Sequence, residues 1–283
     1  MPRLRSPPPV QRVRERLAQI AGPSAAALPR GYQRLGNTLL LHLPSSLTPF
    51  EHEVGRYFQE EMGVATVLAF DGVAQGEHRR PSLRRLAGPG GPVLHVEEGL
   101  RWHLDPSEVL FAAGNRSERR RAGALVRPGE RIADLFAGIG YFTLPAAKFG
   151  DPKVVHAVEV NPRSYAYLLE NVRENHVVER VVPHLGDNRE VDLPLHAFDR
   201  IFLGLLPTAV PFVPRALDLL NKAGGWLHLH LTTSAPQWRE SSCASVSQAV
   251  EAAGGALLDA TPRRVKSYGP ARSHVVVDAR VRP

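Results

Sequence analysis

Apolar and polar positions along the chain follow two periods. Short apolar runs recur at 131–133, 153–158, 181–185, 200–203 and 226–231, each bounded by Gly, Pro, Asn or Asp. They read as buried strands. Helical spacing fills the gaps, from Tyr141 through Leu144, Ala147 and Lys148, and over 163–175 with Tyr167, Leu168 and Val172. Strands alternating with helices predict an α/β, doubly wound sheet, mainly parallel and covered on both faces. Upstream the pattern changes. A strand at 38–43, an amphipathic helix at 49–61, a strand at 66–70 and a hairpin at 93–105 turning near Glu98-Gly99 predict a smaller N-terminal α+β domain. Expected boundaries are a basic Pro/Arg-rich arm at 1–30, partly disordered or marginally helical, the small domain at 31–115, and the large domain at 116–283. The Gly/Pro-rich segment 88–92 reads as a loop within the small domain, and no internal repeat is visible.

The sharpest chemistry lies where the first strand of the large domain ends. Residues 134–143 read Asp-Leu-Phe-Ala-Gly-Ile-Gly-Tyr-Phe-Thr. A strand, a Gly-rich turn and a helix make a nucleotide-binding corner. A dinucleotide fingerprint wants a third glycine where this chain has Thr143, and Tyr141 and Phe142 crowd the place of a pyrophosphate. The corner therefore suits a neutral or cationic adenosine ligand, with S-adenosylmethionine the candidate. Glu159, just past the second strand, can accept from a ribose diol. Asp187 and Asn188, after the third strand, can read an adenine edge. Gly204 follows the fourth. All fall beyond strand carboxyl ends, where such sheets bind ligands.

Charge adds a second partner. The net charge is +7 and the isoelectric point about 10.0. Arginines cluster at 1–30, at Arg79, Arg80, Arg84 and Arg85, at Arg116, Arg119, Arg120, Arg121 and Arg127, and at Arg263, Arg264 and Arg272 beside Lys266. Guanidinium forks suit phosphates, so a polyanionic substrate is expected. No apolar run approaches the ~20 residues that span a bilayer, and the N-terminus lacks a secretory signal's apolar stretch. A lone Cys243 fits a reducing cytosol, so a cytoplasmic location is expected. No Cys/His cluster has zinc spacing, and no metal is expected. His228 and His230 share a strand face, with His230 placed near the pocket mouth.

Several segments together resemble the tRNA wybutosine-synthesis transferases and their relatives, the tRNA guanine-N1-methyltransferases. They are Gly114-Asn115-Arg116-Ser117-Glu118-Arg119, residues 134–145, Glu159-Val160-Asn161-Pro162, Gly186-Asp187-Asn188, Leu203-Gly204-Leu205-Leu206-Pro207 and Lys266-Ser267-Tyr268-Gly269-Pro270. The resemblance, weaker back to about Gly31, implies a class I methyltransferase-like fold that uses S-adenosylmethionine and acts on tRNA. The sheet should then have seven strands, the last, at 273–280, antiparallel and reached by a return at 257–265. The turn 204–207 and the Gly114-Asn115 pair resemble the aminocarboxypropyl branch, which often has a serine where this chain has Ala112. Expected ligand-binding residues are Arg119, Asp134, Phe136, Ala137, Gly138, Gly140, Tyr141, Phe142, Glu159, Val160, Asn161, Asp187, Asn188 and Gly204. Gly204, Leu205 and Pro207 would position the reacting groups, with Asn115 and His230 as further candidates. Arg79, Arg80, Arg84, Arg85, Lys266 and Tyr268 would meet RNA.

Sulfonium chemistry separates the branches. Each of three carbons on the sulfur can be attacked, and alignment selects one. Methylation at guanine N1 needs a proton acceptor for the N–H, which the turn 204–207 does not offer. A ring carbon can attack first and lose its proton afterwards. The reading is therefore a tRNA 3-amino-3-carboxypropyltransferase acting on a wyosine-type guanosine 3′ of the anticodon. A tRNA guanine-N1-methyltransferase and a non-catalytic RNA-binding protein are the alternatives.

Overall fold

The structure is a computed structural model that describes residues 7–72, 81–234, 236–268 and 271–283. Arg79, Arg80, Gly269 and Pro270 lie outside the described residues. The chain divides into two compact units, residues 1–97 with 101–111, and 98–100 with 112–283.

The first unit opens with helix α1 (Pro9–Ala21), whose Val13 and Leu17, one turn apart, are fully buried. Residues 9–21 thus take the helical alternative expected for the basic arm. Its arginines are engaged internally: Arg12 pairs with Glu61 at 2.5 Å, and Arg16 pairs with Glu60 and lies over the Tyr57 ring. Strands β1 (Gln33–Leu35) and β2 (Thr38–Leu41) come next. Helix α2 (Glu51–Met62) then crosses to β3 (Thr66–Phe70), which runs parallel to β2. The helix stops at Gly63, whose positive φ of 59° lets its N–H return to the Gln59 carbonyl. Strand β4 (Leu83–Ala87) completes a sheet of order β1-β2-β3-β4. Two adjacent arginines hide β4 in the sequence. Arg84 is bound by Glu51 and approaches Asp71, whereas Arg85 is exposed. Strands β5 (Val93–Glu97) and β6 (Leu100–Leu104) form the expected hairpin, turning through Glu98 and Gly99, both at positive φ.

The second unit runs helix α3 (Arg116–Leu125), β7 (Arg131–Asp134), α4 (Thr143–Phe149), β8 (Val154–Glu159), α5 (Pro162–Glu174), β9 (Val181–Leu185), β10 (Arg200–Leu203), α6 (Val213–Leu219), β11 (Gly225–Ser234), α7 (Trp238–Ala252), β12 (Ala256–Tyr268) and β13 (Arg272–Arg282). Its seven strands take the order β12-β13-β11-β10-β7-β8-β9. Pairing is parallel from β11 to β9, while β13 runs antiparallel to both β11 and β12. Val275, Val276 and Val277 are all fully buried, as a sheet covered on both faces requires. Helix α4 begins two residues later than the periodicity suggests, because Tyr141 and Phe142 belong to the turn. Among the described residues no helix is long and apolar enough to cross a membrane.

Candidate functional site

The loops that follow β7, β8, β9 and β10 leave the sheet at one edge, where the parallel strands end. In the first loop Asp134 is turned inward. It is fully buried, and its Oδ2 accepts from the Thr143 amide at 3.1 Å and the Thr143 hydroxyl at 2.8 Å. Burial pushes its carboxyl up to about 7. Asp134 thus ties β7 to the start of α4 and shapes the turn between them. Gly138 stands at φ 58°, and a Cβ there would meet the Tyr141 ring at 2.5 Å. The turn needs glycine for both reasons.

Glu159 pins two loops. One carboxylate oxygen accepts from the Gly138 amide at 2.7 Å, the other from the Asn161 amide at 2.8 Å. The carboxylate is half-buried. Asn161 is committed otherwise: its side chain caps α5 by accepting from the Arg163 amide, with Pro162 opening the helix. Val160 between them is 44% exposed, an apolar surface at the strand end.

After β9, Asp187 is held by Arg189, which donates from its backbone amide and its guanidinium. Arg189 keeps the Asp187 carboxyl below its ordinary range. Asn188 is buried and donates to the Leu135 carbonyl at 3.2 Å, so it ties β9's loop to the first loop. Phe136 and Phe212 meet edge to face at 4.7 Å, and Arg189 lies over Phe212.

The turn after β10 is set by Phe142. A Cβ on Gly204 would come within 2.8 Å of that ring, so only glycine lets the turn approach. The turn is anchored to β11 through Thr232 N–H to the Pro207 carbonyl and Ala209 N–H to the His230 carbonyl. Leu205 packs against the core.

At the start of α3, Arg119 is buried and donates to the Ala112 carbonyl at 2.8 Å. Asn115 precedes the helix, with a buried Oδ1 that has no hydrogen-bond partner among the described residues. Lys266 passes over Gly114, its Cδ 3.3 Å from where a Cβ would be. Tyr268 ends β12 opposite Arg272.

Sequence reasoning missed a charged network on the sheet. Arg200 clasps Glu130 at 2.9 and 3.0 Å and donates to His228 Nε2 at 2.6 Å. His228 Nδ1 faces Asp278 at 2.5 Å, and Arg121 bridges Asp278 and Glu118. Despite burial, His228 and Arg121 hold Asp278 well below the usual carboxylate range. The one signal available was Glu118 and Arg121 at i, i+3 spacing; their partners come from distant strands. His230 pairs with His274 at 2.8 Å and stacks on Phe142. Among the described residues no group of three or more His, Cys, Asp or Glu side chains could hold a metal.

The edge fits an adenosyl sulfonium ligand. Its floor closes on glycines at 138 and 204, Glu159 stands at its rim, and the buried side-chain oxygens of Asn115 and Asn188 have no hydrogen-bond partner among the described residues.

The sequence pattern of the TRM5/TYW2 methyltransferase domain matches residues 93–253, and that of the TYW2 N-terminal domain matches 13–91. The chain belongs to the TRM5/TYW2 family. It is 34% identical over 255 residues to the tRNA(Phe) (4-demethylwyosine(37)-C(7)) aminocarboxypropyltransferase of Pyrococcus horikoshii, covering 90% of each chain. It superposes on the structure of P. horikoshii TYW2 in complex with MeSAdo with a TM-score of 0.84 at 30% identity, covering 96% of this chain and 98% of that one. Trm5b from Pyrococcus abyssi gives a TM-score of 0.81 at 28% identity, covering 93% and 78%. The TRM5/TYW2 fold is therefore the class I methyltransferase-like α/β fold expected from sequence.

Proposed function

We propose that this TRM5/TYW2 member transfers the 3-amino-3-carboxypropyl group of S-adenosylmethionine to a wyosine-type modified guanosine 3′ of the anticodon in tRNA. The observation that carries this reading is the 34% identity, over 90% of both chains, to a relative named for that transfer. The bound donor supplies an electrophilic carbon on a sulfonium. The residues then have distinct tasks. Glu159 accepts from the ribose hydroxyls, Asp187 reads the adenine amino edge, and Val160, Phe136 and the 137–142 turn give it apolar walls. Arg119 and Asn115 hold the polar end of the methionine arm, a bidentate guanidinium contact suiting its carboxylate. The turn Gly204, Leu205, Leu206 and Pro207 admits the acceptor base, and its side chains offer no group to take an N–H proton. This supports attack by a ring carbon rather than by guanine N1. Exposed Arg85, Arg120, Arg263, Arg264 and Arg272 supply phosphate contacts.

Double labelling tests the reading. With S-adenosylmethionine and tRNA bearing a demethylwyosine-type base, carboxyl-carbon label should enter the tRNA and methylthioadenosine should be released. Methyl label entering unmodified tRNA, with S-adenosylhomocysteine as by-product, would overturn it.

A further inference from the structure

His228 and His230 lie two residues apart on one face of β11, yet only one is fully committed. A guanidinium has no acceptor, so Arg200 must donate to His228 Nε2, leaving Nδ1–H for Asp278. His230 is 2% exposed, with Nδ1 2.8 Å from His274 Nε2, and its own Nε2 is buried with no hydrogen-bond partner among the described residues. Its ring lies 5.0 Å from that of Phe142, the ring against which Gly204 closes. The turn at 207–209 is hydrogen-bonded to its strand. An imidazole with one uncommitted nitrogen thus stands behind the turn that admits the acceptor base, and a second imidazole stands behind it.

We infer that His230 and His274 form a two-imidazole pair that takes up the proton lost by the acceptor base. This rests on the carbon-alkylation reading above. As the base's ring carbon bonds to the γ-carbon, the C–S bond breaks with its electron pair going to sulfur, and the alkylated ring is left cationic. Its surplus hydrogen leaves as a proton to His230 Nε2, and the bonding pair returns to the ring. The His230 imidazolium so formed shares its charge with His274 through the Nδ1–H···Nε2 hydrogen bond, and Nε2 returns the proton to solvent once the modified tRNA has left, so both imidazoles end neutral in their starting tautomers. Burial, with His228 and Arg121 near His230 and with His230 and Lys266 near His274, keeps the pair unprotonated at neutral pH and ready to accept. A weakly basic imidazole suffices, because the ring cation is far more acidic than an imidazolium.

His230→Phe keeps the stack on Phe142 and removes the nitrogens. His230→Gln keeps a hydrogen bond to His274 without a basic atom, and guards against a folding defect in the first variant. In both, calorimetric affinity for S-adenosylmethionine should stay within about twofold, while turnover falls by roughly 10²–10⁴. Deuterium at the reacting ring carbon should produce a primary isotope effect in the variants and in His274→Phe, because proton loss becomes limiting. Nitrogen NMR of the resting protein should show His230 Nε2 unprotonated. A protonated Nε2, wild-type turnover, or slow turnover without the isotope effect would overturn this role while leaving the transfer reading intact. Methyl transfer by the wild-type protein would overturn both.

Discussion

At the scale of single residues, Glu159 carries the greatest weight in the site. Its two oxygens are both accepting from backbone amides, so it sets the loops on either side of it, and the proposed function also gives it the ribose. Glu159→Ala should weaken S-adenosylmethionine binding by about 1.5–3 kcal/mol, through lost charged hydrogen bonds. Glu159→Gln should do little better, because its NH₂ must face one of the two amide donors. Asp187→Ala should cost less, since Arg189 already occupies much of that carboxylate. Calorimetry on the three variants measures this order; an unchanged affinity in Glu159→Ala would remove the residue from the site. The carboxylates at 134, 159 and 187 look alike in the sequence. Only the fold shows that Asp134 is an internal brace, Glu159 faces the edge, and Asp187 is shared with an arginine.

Among the elements, α1 departs furthest from its sequence. Its composition is basic and its apolar residues few, which suits a disordered segment. Val13 and Leu17 are nevertheless spaced to meet one partner, and α2 offers Glu60 and Glu61 to its arginines. Leu17→Ala should therefore destabilise the first unit by about 2–4 kcal/mol, seen as an earlier thermal transition. Removing residues 1–30 should expose its core to protease. If a protein lacking α1 resists digestion as well as the full chain, the helix is peripheral. β4 was hidden for a related reason: strand patterning is weak where charged side chains find partners on another element.

For the whole molecule, charge and pH are the relevant variables. RNA affinity should fall with salt, each neutralised phosphate adding roughly 0.7–0.9 to the log–log slope. Replacing Arg263, Arg264 and Arg272 by alanine should lower that slope. Replacing Arg12 and Arg16 should not, because their charge is already matched. Filter-binding titrations across salt would show which set matters. Acid should act through the buried histidines. His230 and His274 are held neutral down to about pH 3, whereas in the unfolded chain they protonate near 6.5. Between those values the unfolded state binds more protons. The stability they allow is complete above about pH 6.5 and is lost as pH falls toward 3. Asp134, raised to about 7 by burial, acts in the opposite direction. It is present in wild type and His230→Phe alike, so their difference isolates the imidazole. Denaturant unfolding should show the variant losing less stability between pH 6.5 and pH 4.

The sequence by itself determined the α/β class, the strand-turn-helix corner at 134–143 and the acid after the second strand, whereas the antiparallel last strand was an implication of the family resemblance. The first three are local: hydrophobic period and glycine placement act over a few residues. The small hairpin at 93–105 was legible for the same reason. What only the tertiary structure decided is long-range. Arg200, His228, Asp278, Arg121 and Glu118 join into one network although they are scattered over α3 and three strands. His230 meets His274, 44 positions away, because β11 and β13 pair antiparallel. Lys266 of β12 passes over Gly114, more than 150 positions earlier in the chain. No spacing rule encodes such meetings; buried polar groups need partners, and the topology of the sheet determines which ones they meet.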